Sequence, residues 1–286
     1  MATTRSRTLS DYFNAKNAPF WIAHVIAAAT VAAAGWDWNG LWWTALVYAV
    51  GMFFVTAGYH RYFSHRSFRT SRWFQFVLAI GAQVTCQKGV LWWASRHRHH
   101  HRTSDTEQDI HSAAQSGFLW SHLGWFLAHD NVATERDEIR DLSSYRELRW
   151  MNRRFIDVLP ALIYSLVVYA IGGLYAAAYA AFLPLVLVWH GTFLINSLAH
   201  VLGTQTYDTG EQSKNNFVLA LITLGEGWHN NHHHYQRSCR QGFRWWQIDI
   251  TYSVLCLLAA LGIVWDLTAP PNKVVAATRR SLTSGT

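Results

Sequence analysis

The chain has 286 residues, 51% of them hydrophobic, with 16 Trp, 16 His and a formal net charge of +7. Its three cysteines (Cys86, Cys239 and Cys256) form no spacing pattern and suit a reducing cytoplasm rather than a disulfide framework, so they read as small apolar residues. The basic excess does not point to nucleic acid, because the arginines are dispersed and no nucleic-acid motif is present.

In chain order, the first ten residues read as loose. An apolar run follows at 20–36. Arg5 and Arg7 ahead of it and AAAG near its end give it the make-up of a signal peptide. A second run, 41–57, begins so soon afterwards that the two read instead as a retained hairpin. A third and a fourth run occupy 155–171 and 174–195. Each is long enough, or nearly so, for a hydrocarbon core of ~30 Å. Residues 73–86 are too short to span and carry Gln75 and Gln83, residues 135–154 alternate charges as a solvated helix does, and 250–267 is long enough to span but ends at Asp266. His24 and His190, inside the runs, read as hydrogen-bonded structural residues.

All 24 Lys and Arg lie outside the four runs, and the connectors 37–40 and 172–173 contain none. Short cytoplasmic loops carry the Lys and Arg excess. The expectation is therefore a single-domain, all-α integral membrane protein, multi-pass in a bacterial cytoplasmic membrane. Four transmembrane helices form two hairpins. A helical cap, 58–154 and 196–267, lies on the cytoplasmic side with both termini, and 268–286 is a loose tail. The positive charge then reflects orientation and contact with anionic headgroups, and the Trp and Tyr excess an interfacial belt.

Most of the histidines fall in four short groups: HRYFSH (His60, His65), HRHHH (His97, His99, His100, His101), NSLAH (Asn196, His200) and HNNHHH (His229, His232, His233, His234). Positions i, i+3 and i+4 share a helix face. His97, His100 and His101 have that spacing, as do His229, His232 and His233, so each segment can aim its imidazoles at one point. Asn196 and His200 are an i, i+4 pair. His99 and His234 point elsewhere. His60 and His65 are about 140° apart on an ideal helix, and converge only if the helix unwinds between them or if they approach different metals. Nine imidazoles and one amide suit two metals of four to five ligands each. No cysteine joins them, which favours a redox-active pair over structural zinc. Glu226, three residues before His229, and Asp105, four after His101, can reach those faces and orient imidazoles.

HRYFSH, HRHHH and HNNHH resemble the three histidine boxes of the membrane-bound fatty acyl desaturases, most closely the Δ9 (stearoyl-CoA type) branch. The stretch WASRHRHHHRTSDTEQDIH, then GFLWSHLGW, NSLAH and EGWHNNHHHY, extends the likeness over about residues 20–267. The resemblance implies four transmembrane helices under a cytoplasmic cap holding two irons, with 250–267 packed in the cap. It implies His60, His65, His97, His100, His101, His200, His229, His232 and His233 as ligands, and Asn196 reaching a metal through water. It implies Gln87 and Trp93 as lining an acyl tunnel, and an O₂-dependent insertion of a cis double bond into a saturated acyl chain. A separate electron carrier of ferredoxin, rubredoxin or cytochrome b5 type, with its reductase, would supply electrons, because no haem-binding domain is fused. Animal members carry an Asn after the matching Gln and an Arg-Asp pair before the second box, all meeting the CoA headgroup. Here those positions are Lys88, Ser95 and Arg96. Acyl-CoA is the favoured carrier, beside acyl-lipid or acyl-carrier protein. A related di-iron hydroxylase is the second reading and a histidine-rich metal carrier or sensor the third. That third reading wants polar groups inside the spans, which hold almost none. His111, His122 and His129 read as cap-surface or headgroup-layer residues.

Overall fold

The computed structural model describes residues 12–128 and 133–277. His129, the first ten residues and the end of the tail lie outside the described residues. Helix α1 (Ala18–Ala34) opens with Pro19 in its first turn and stops at Gly35, whose φ of 80° suits glycine. Helix α2 (Trp38–Phe53) is capped by Asp37, whose carboxylate accepts from the Gly40 N–H. It continues without a break as a π-helix, Phe54–Ser64. Helix α3 (Arg72–Val84) follows, capped by Ser71, then α4 (Val90–Thr103). Helix α5 (Leu159–Ala177) is interrupted at Gly172 and Gly173, and α6 (Leu183–Ser197) follows a second π-helical stretch, Ala178–Phe182. Short helices α7 (Phe217–Ile222) and α8 (His229–His234) precede α9 (Ile250–Ala260). Against an all-helical reading, the described residues include a small antiparallel pair, β1 (Arg69–Thr70) with β2 (Val264–Trp265), and isolated bridges from Asn215 to Thr204 and Trp228.

Two stretches, Trp38–Ser64 and Leu159–His200, are long and apolar enough to cross a membrane. The second is not one rod. The Tyr164 hydroxyl donates to the Ala180 carbonyl at 2.8 Å, although sixteen residues of continuous helix would separate them by about 24 Å. The chain reverses at Gly173, whose φ of 58° and ψ of −150° are open to glycine. The first hairpin turns at the same end. Tyr179 lies on Gly40, where a Cβ would sit 2.6 Å from its ring, and the Thr44 hydroxyl donates to the Tyr179 carbonyl at 2.7 Å. Both turns therefore lie together, and the histidine-bearing ends of α2 and α6 lie at the opposite end of the bundle.

The helix boundaries differ from the apolar runs. The third run starts late, because Phe155 adopts φ 72° in a turn and helix begins only at Leu159, beside Pro160. α9 is 11 residues long, about 16 Å and too short to cross. The charged stretch 135–154 is three short helical pieces rather than one solvated helix. They are tied down by Arg96 to Glu135 and Arg98 to Asp141.

Candidate metal centre

The nitrogen ligands gather into two adjacent clusters. His60, His65, His97, His101 and His232 each bring one nitrogen within 4.8 Å of all the others, and so do His100, His200, His229 and His233. In the first cluster the Nε2 atoms approach directly: His65 to His97 at 2.8 Å, His97 to His101 and His101 to His232 at 2.9 Å, and His232 to His60 at 3.0 Å. In the second, His200 Nε2 lies 3.1 Å from His229 Nε2. Two nitrogens held at right angles about 2.1 Å from a common ion stand about 3.0 Å apart, so this spacing suits shared coordination.

Local geometry explains how the box residues converge. His60 sits in the π-helix that extends α2 and His65 caps its end, where the His65 N–H bonds the His60 carbonyl five residues back. That widened turn brings i and i+5 to one side, so both rings join the same cluster. On α4, His97 and His101 serve the first cluster while His100 serves the second. α8 does the reverse: His229 and His233 join the second and His232 the first. The expectation that each triplet aims at one point is corrected. On a helix, i and i+4 lie about 40° apart, whereas i+3 and i+4 diverge by about 100°, so each segment bridges two centres.

Buried carboxylates fix the rings. His60 Nδ1 lies 2.6 Å from Glu226, which also holds Arg61. His200 Nδ1 meets Asp105 at 3.1 Å, and His100 Nδ1 meets both Asp109 oxygens at 3.1 Å. A carboxylate only accepts, so these Nδ1 atoms carry the proton and Nε2 keeps its lone pair. Burial disfavours the Glu226 charge, but His60, Arg61 and Gln241 bring its carboxyl down to about 2. Burial likewise opposes ionisation of Asp105, yet His200, the Ser112 hydroxyl and the Gln212 amide hold it at about 2. Burial, then neighbouring imidazoles, holds His65, His97, His101, His229, His232 and His233 well below their ordinary range, and therefore neutral. His233 Nε2 is buried without a hydrogen-bond partner among the described residues. Neutral, convergent imidazoles with an orphaned nitrogen fit transition-metal ions.

Several site residues stand otherwise than spacing suggested. Glu226 and Asp105 contact His60 and His200, not His229 and His101. Asp105 lies past the end of α4 at φ 57°, so the helical count no longer applies there. Asp109 was missed for the same reason, and Glu211, 3.7 Å from both His200 and His233 Nδ1, has no helical register with either. His111 is buried in the centre, not at the cap surface: its ring lies 4.2 Å from that of His100. His24, His190 and His122 form a hydrogen-bonded chain ending at Ser197. His99 bonds the Gln108 carbonyl and His234 stacks on Tyr207, both away from the clusters. Asn196 stands one turn before His200, its carbonyl accepting from Ser121. Trp93 stacks on His97 with centroids 4.9 Å apart, and Gln87 donates to the Thr192 hydroxyl at 3.1 Å.

A family model for fatty acid desaturases matches residues 37–256. The chain belongs to the fatty acid desaturase family. It is 34% identical over 262 residues to an sn-1 stearoyl-lipid 9-desaturase of Synechocystis, covering 90% of this chain and 80% of that protein. It is 36% identical over 238 residues to an acyl-CoA 5-desaturase of Anemone leveillei, covering 82% and 73% respectively. An sn-2 palmitoyl-lipid 9-desaturase of Nostoc is 33% identical over 263 residues, 88% of this chain and 89% of that protein. Membership of this family makes the protein an oxidoreductase of lipid metabolism, and its buried histidine groups are compatible with a metal cofactor.

Proposed function

We propose that this desaturase introduces a cis double bond, at Δ9, into a saturated acyl chain esterified to a membrane lipid. The observation that carries the reading is the pair of buried histidine clusters, five and four imidazoles, in a chain of this family. His60, His65, His97, His101 and His232 would hold one iron, and His100, His200, His229 and His233 the other, with Asn196 next to the second through water. The two irons would supply O₂ activation and the oxidising power to remove two hydrogens from adjacent methylenes. The overall reaction takes –CH₂–CH₂–, O₂, two electrons and two protons to –CH=CH– and two waters. The electrons come from a separate one-electron carrier protein of ferredoxin, rubredoxin or cytochrome b5 type.

The chain's own residues orient and exclude. Glu226, Asp105 and Asp109 fix imidazole tautomers. Trp93 and the Gln87–Thr192 contact would line the path of the acyl chain and keep water from the oxidant. The four apolar helical arms would cross the bilayer with the basic histidine end cytoplasmic.

The lipid ester is favoured as carrier because the positions that meet CoA in animal members are otherwise engaged. Ser95 is buried and donates to the Trp92 carbonyl. Arg96 is buried against Glu135. The Lys88 ammonium lies over the Trp92 ring at 5.1 Å. Acyl-CoA is the second reading, supported by the likeness to an acyl-CoA 5-desaturase.

The test expresses the wild type and His100→Ala in a host that lacks a desaturase but supplies carrier and reductase. Products are profiled by lipid class with double-bond location. A monounsaturated chain made only by the wild type, appearing first in intact membrane lipid, supports the proposal. First appearance in the acyl-CoA pool supports the second reading. A hydroxylated product refutes desaturation.

A further inference from the structure

Helix α7 is FVLALI, without one polar side chain, and only Leu219 and Ala220 are buried. Phe217, Val218, Leu221 and Ile222 are exposed, Val218 at 63%. A short helix that is apolar all round does not belong on a water-facing surface. Val201 and Leu202, just past α6, are likewise exposed, and the Asn216 side chain ties the two segments by donating to the Leu202 carbonyl.

The depth of this segment is fixed by Tyr48, whose hydroxyl donates to the Ile222 carbonyl at 2.8 Å. Tyr48 stands ten residues from Trp38 at the turn end of α2, about 15 Å along the axis, or half of a ~30 Å hydrocarbon core. α6 agrees: a Cβ on Gly191 would lie 2.7 Å from the Tyr48 hydroxyl, and Gly191 precedes His200 by roughly 14 Å of helix. The chain then reverses through Leu224 (φ 54°) and Gly225 (φ 123°) and returns to the centre, where Glu226 meets His60. At Gly225 a Cβ would lie 2.4 Å from Asp249.

We propose that Phe217–Ile222 is a re-entrant segment that dips into the lipid from the histidine side, reaches the level of Tyr48 and returns without crossing. The proposal rests on the reading of α2 and α6 as membrane-spanning. Its occupant is lipid acyl chain, since the side chains it leaves exposed, Phe217, Val218, Leu221 and Ile222, are all apolar and stand at the mid-core depth of Tyr48. The carbonyls at its end are satisfied by protein, as membrane depth demands: Ile222 by Tyr48, Leu219 by the Thr223 hydroxyl and Leu224 by the Thr251 N–H. The segment leads directly into the third histidine box, so the site would be coupled to the leaflet that holds a lipid substrate.

The test places a nitroxide spin label, one at a time, at Val218 and Leu221 in metal-loaded full-length protein, with Cys256 replaced by Ser, in phosphatidylcholine–phosphatidylglycerol nanodiscs. Labels at Leu46 and Asp137 report lipid and water. Accessibility to oxygen is compared with accessibility to a water-soluble nickel chelate. Val218 and Leu221 are expected to match Leu46, with oxygen favoured at least severalfold. Val218 and Leu221 matching Asp137 while Leu46 stays in lipid overturns the re-entrant segment and leaves the spanning helices intact. Leu46 open to nickel overturns the spanning reading and this proposal together. Two label sites at exposed positions, each checked for retained metal, guard against misfolding of either one.

Discussion

Glu226→Gln separates the two clusters experimentally. The Glu226 carboxylate lies 2.6 Å from His60 Nδ1 and 3.0 Å from Arg61, its side chain 6% exposed. Its carboxyl is drawn from an ordinary 4.5 to about 2, worth on the order of 3 kcal/mol in favour of the ionised folded state. Because the folded value is depressed, that stabilisation is complete above about 4.5 and is lost as pH falls towards 2. Glutamine keeps the shape but not the charge, and leaves Arg61 with Asp249 as its remaining carboxylate. The expected cost at neutral pH is about 3 kcal/mol of stability and about 10–100-fold in affinity for the ion served by His60. The assay is metal release to a chelator, read as equivalents per chain, with thermal unfolding in detergent alongside. Wild type should retain two slowly released equivalents, and Glu226→Gln should make one labile. Asp109→Asn should make the other labile, since Asp109 holds His100 of the second cluster. If both equivalents stay tight and the midpoint is unchanged, or if the two variants free the same equivalent, the assignment of carboxylates to clusters is wrong.

His99→Ala and His234→Ala should keep full metal content, because both imidazoles bond main-chain carbonyls outside the clusters; metal analysis checks this. Gly173→Ala forces a side chain into φ 58°, ψ −150° and should cost about 1–3 kcal/mol, seen as a lower unfolding midpoint with metal stoichiometry unchanged. Gln87→Ala removes the bond to Thr192 and should redistribute double-bond position or chain length among products while metal content is retained, read by product mass spectrometry and metal analysis. Metal retention in the wild type should survive at pH ~4.5 and fall as pH approaches about 2, because Asp105 and Glu226, both depressed to about 2, keep their charge until then; chelator release across that range checks it.

The helical architecture and the identities of the clustered histidines were legible because both depend on short-range regularities. Apolar run length marks the arms, basic residues avoid the connectors, and i, i+4 spacing marks imidazoles that share a face. Failures of detail arise where the backbone leaves that regularity. His60 and His65 were ambiguous because α-helical geometry sets them apart; no pattern in HRYFSH announces the π-turn that unites them. Asp105 and Leu224, at positive φ, break the helical count just where a carboxylate or a returning strand of chain reaches the centre.

The same reasoning explains why each box divides its ligands. A helix lying between two ions cannot point i, i+3 and i+4 at one of them without bending. With α4 and α8 opposed, each can give its close i, i+4 pair to one ion and its odd imidazole to the other. His97 and His101 with His232, and His229 and His233 with His100, therefore form one interlocked arrangement. Single substitutions at His100 and His232 are the sharpest probe of it. Each removes one ligand from the ion that the rest of its own helix does not serve. His232→Ala should release the ion held by His97 and His101, and spare the one beside its neighbours His229 and His233. Loss of the ion next to its own helix neighbours would refute the crossed assignment.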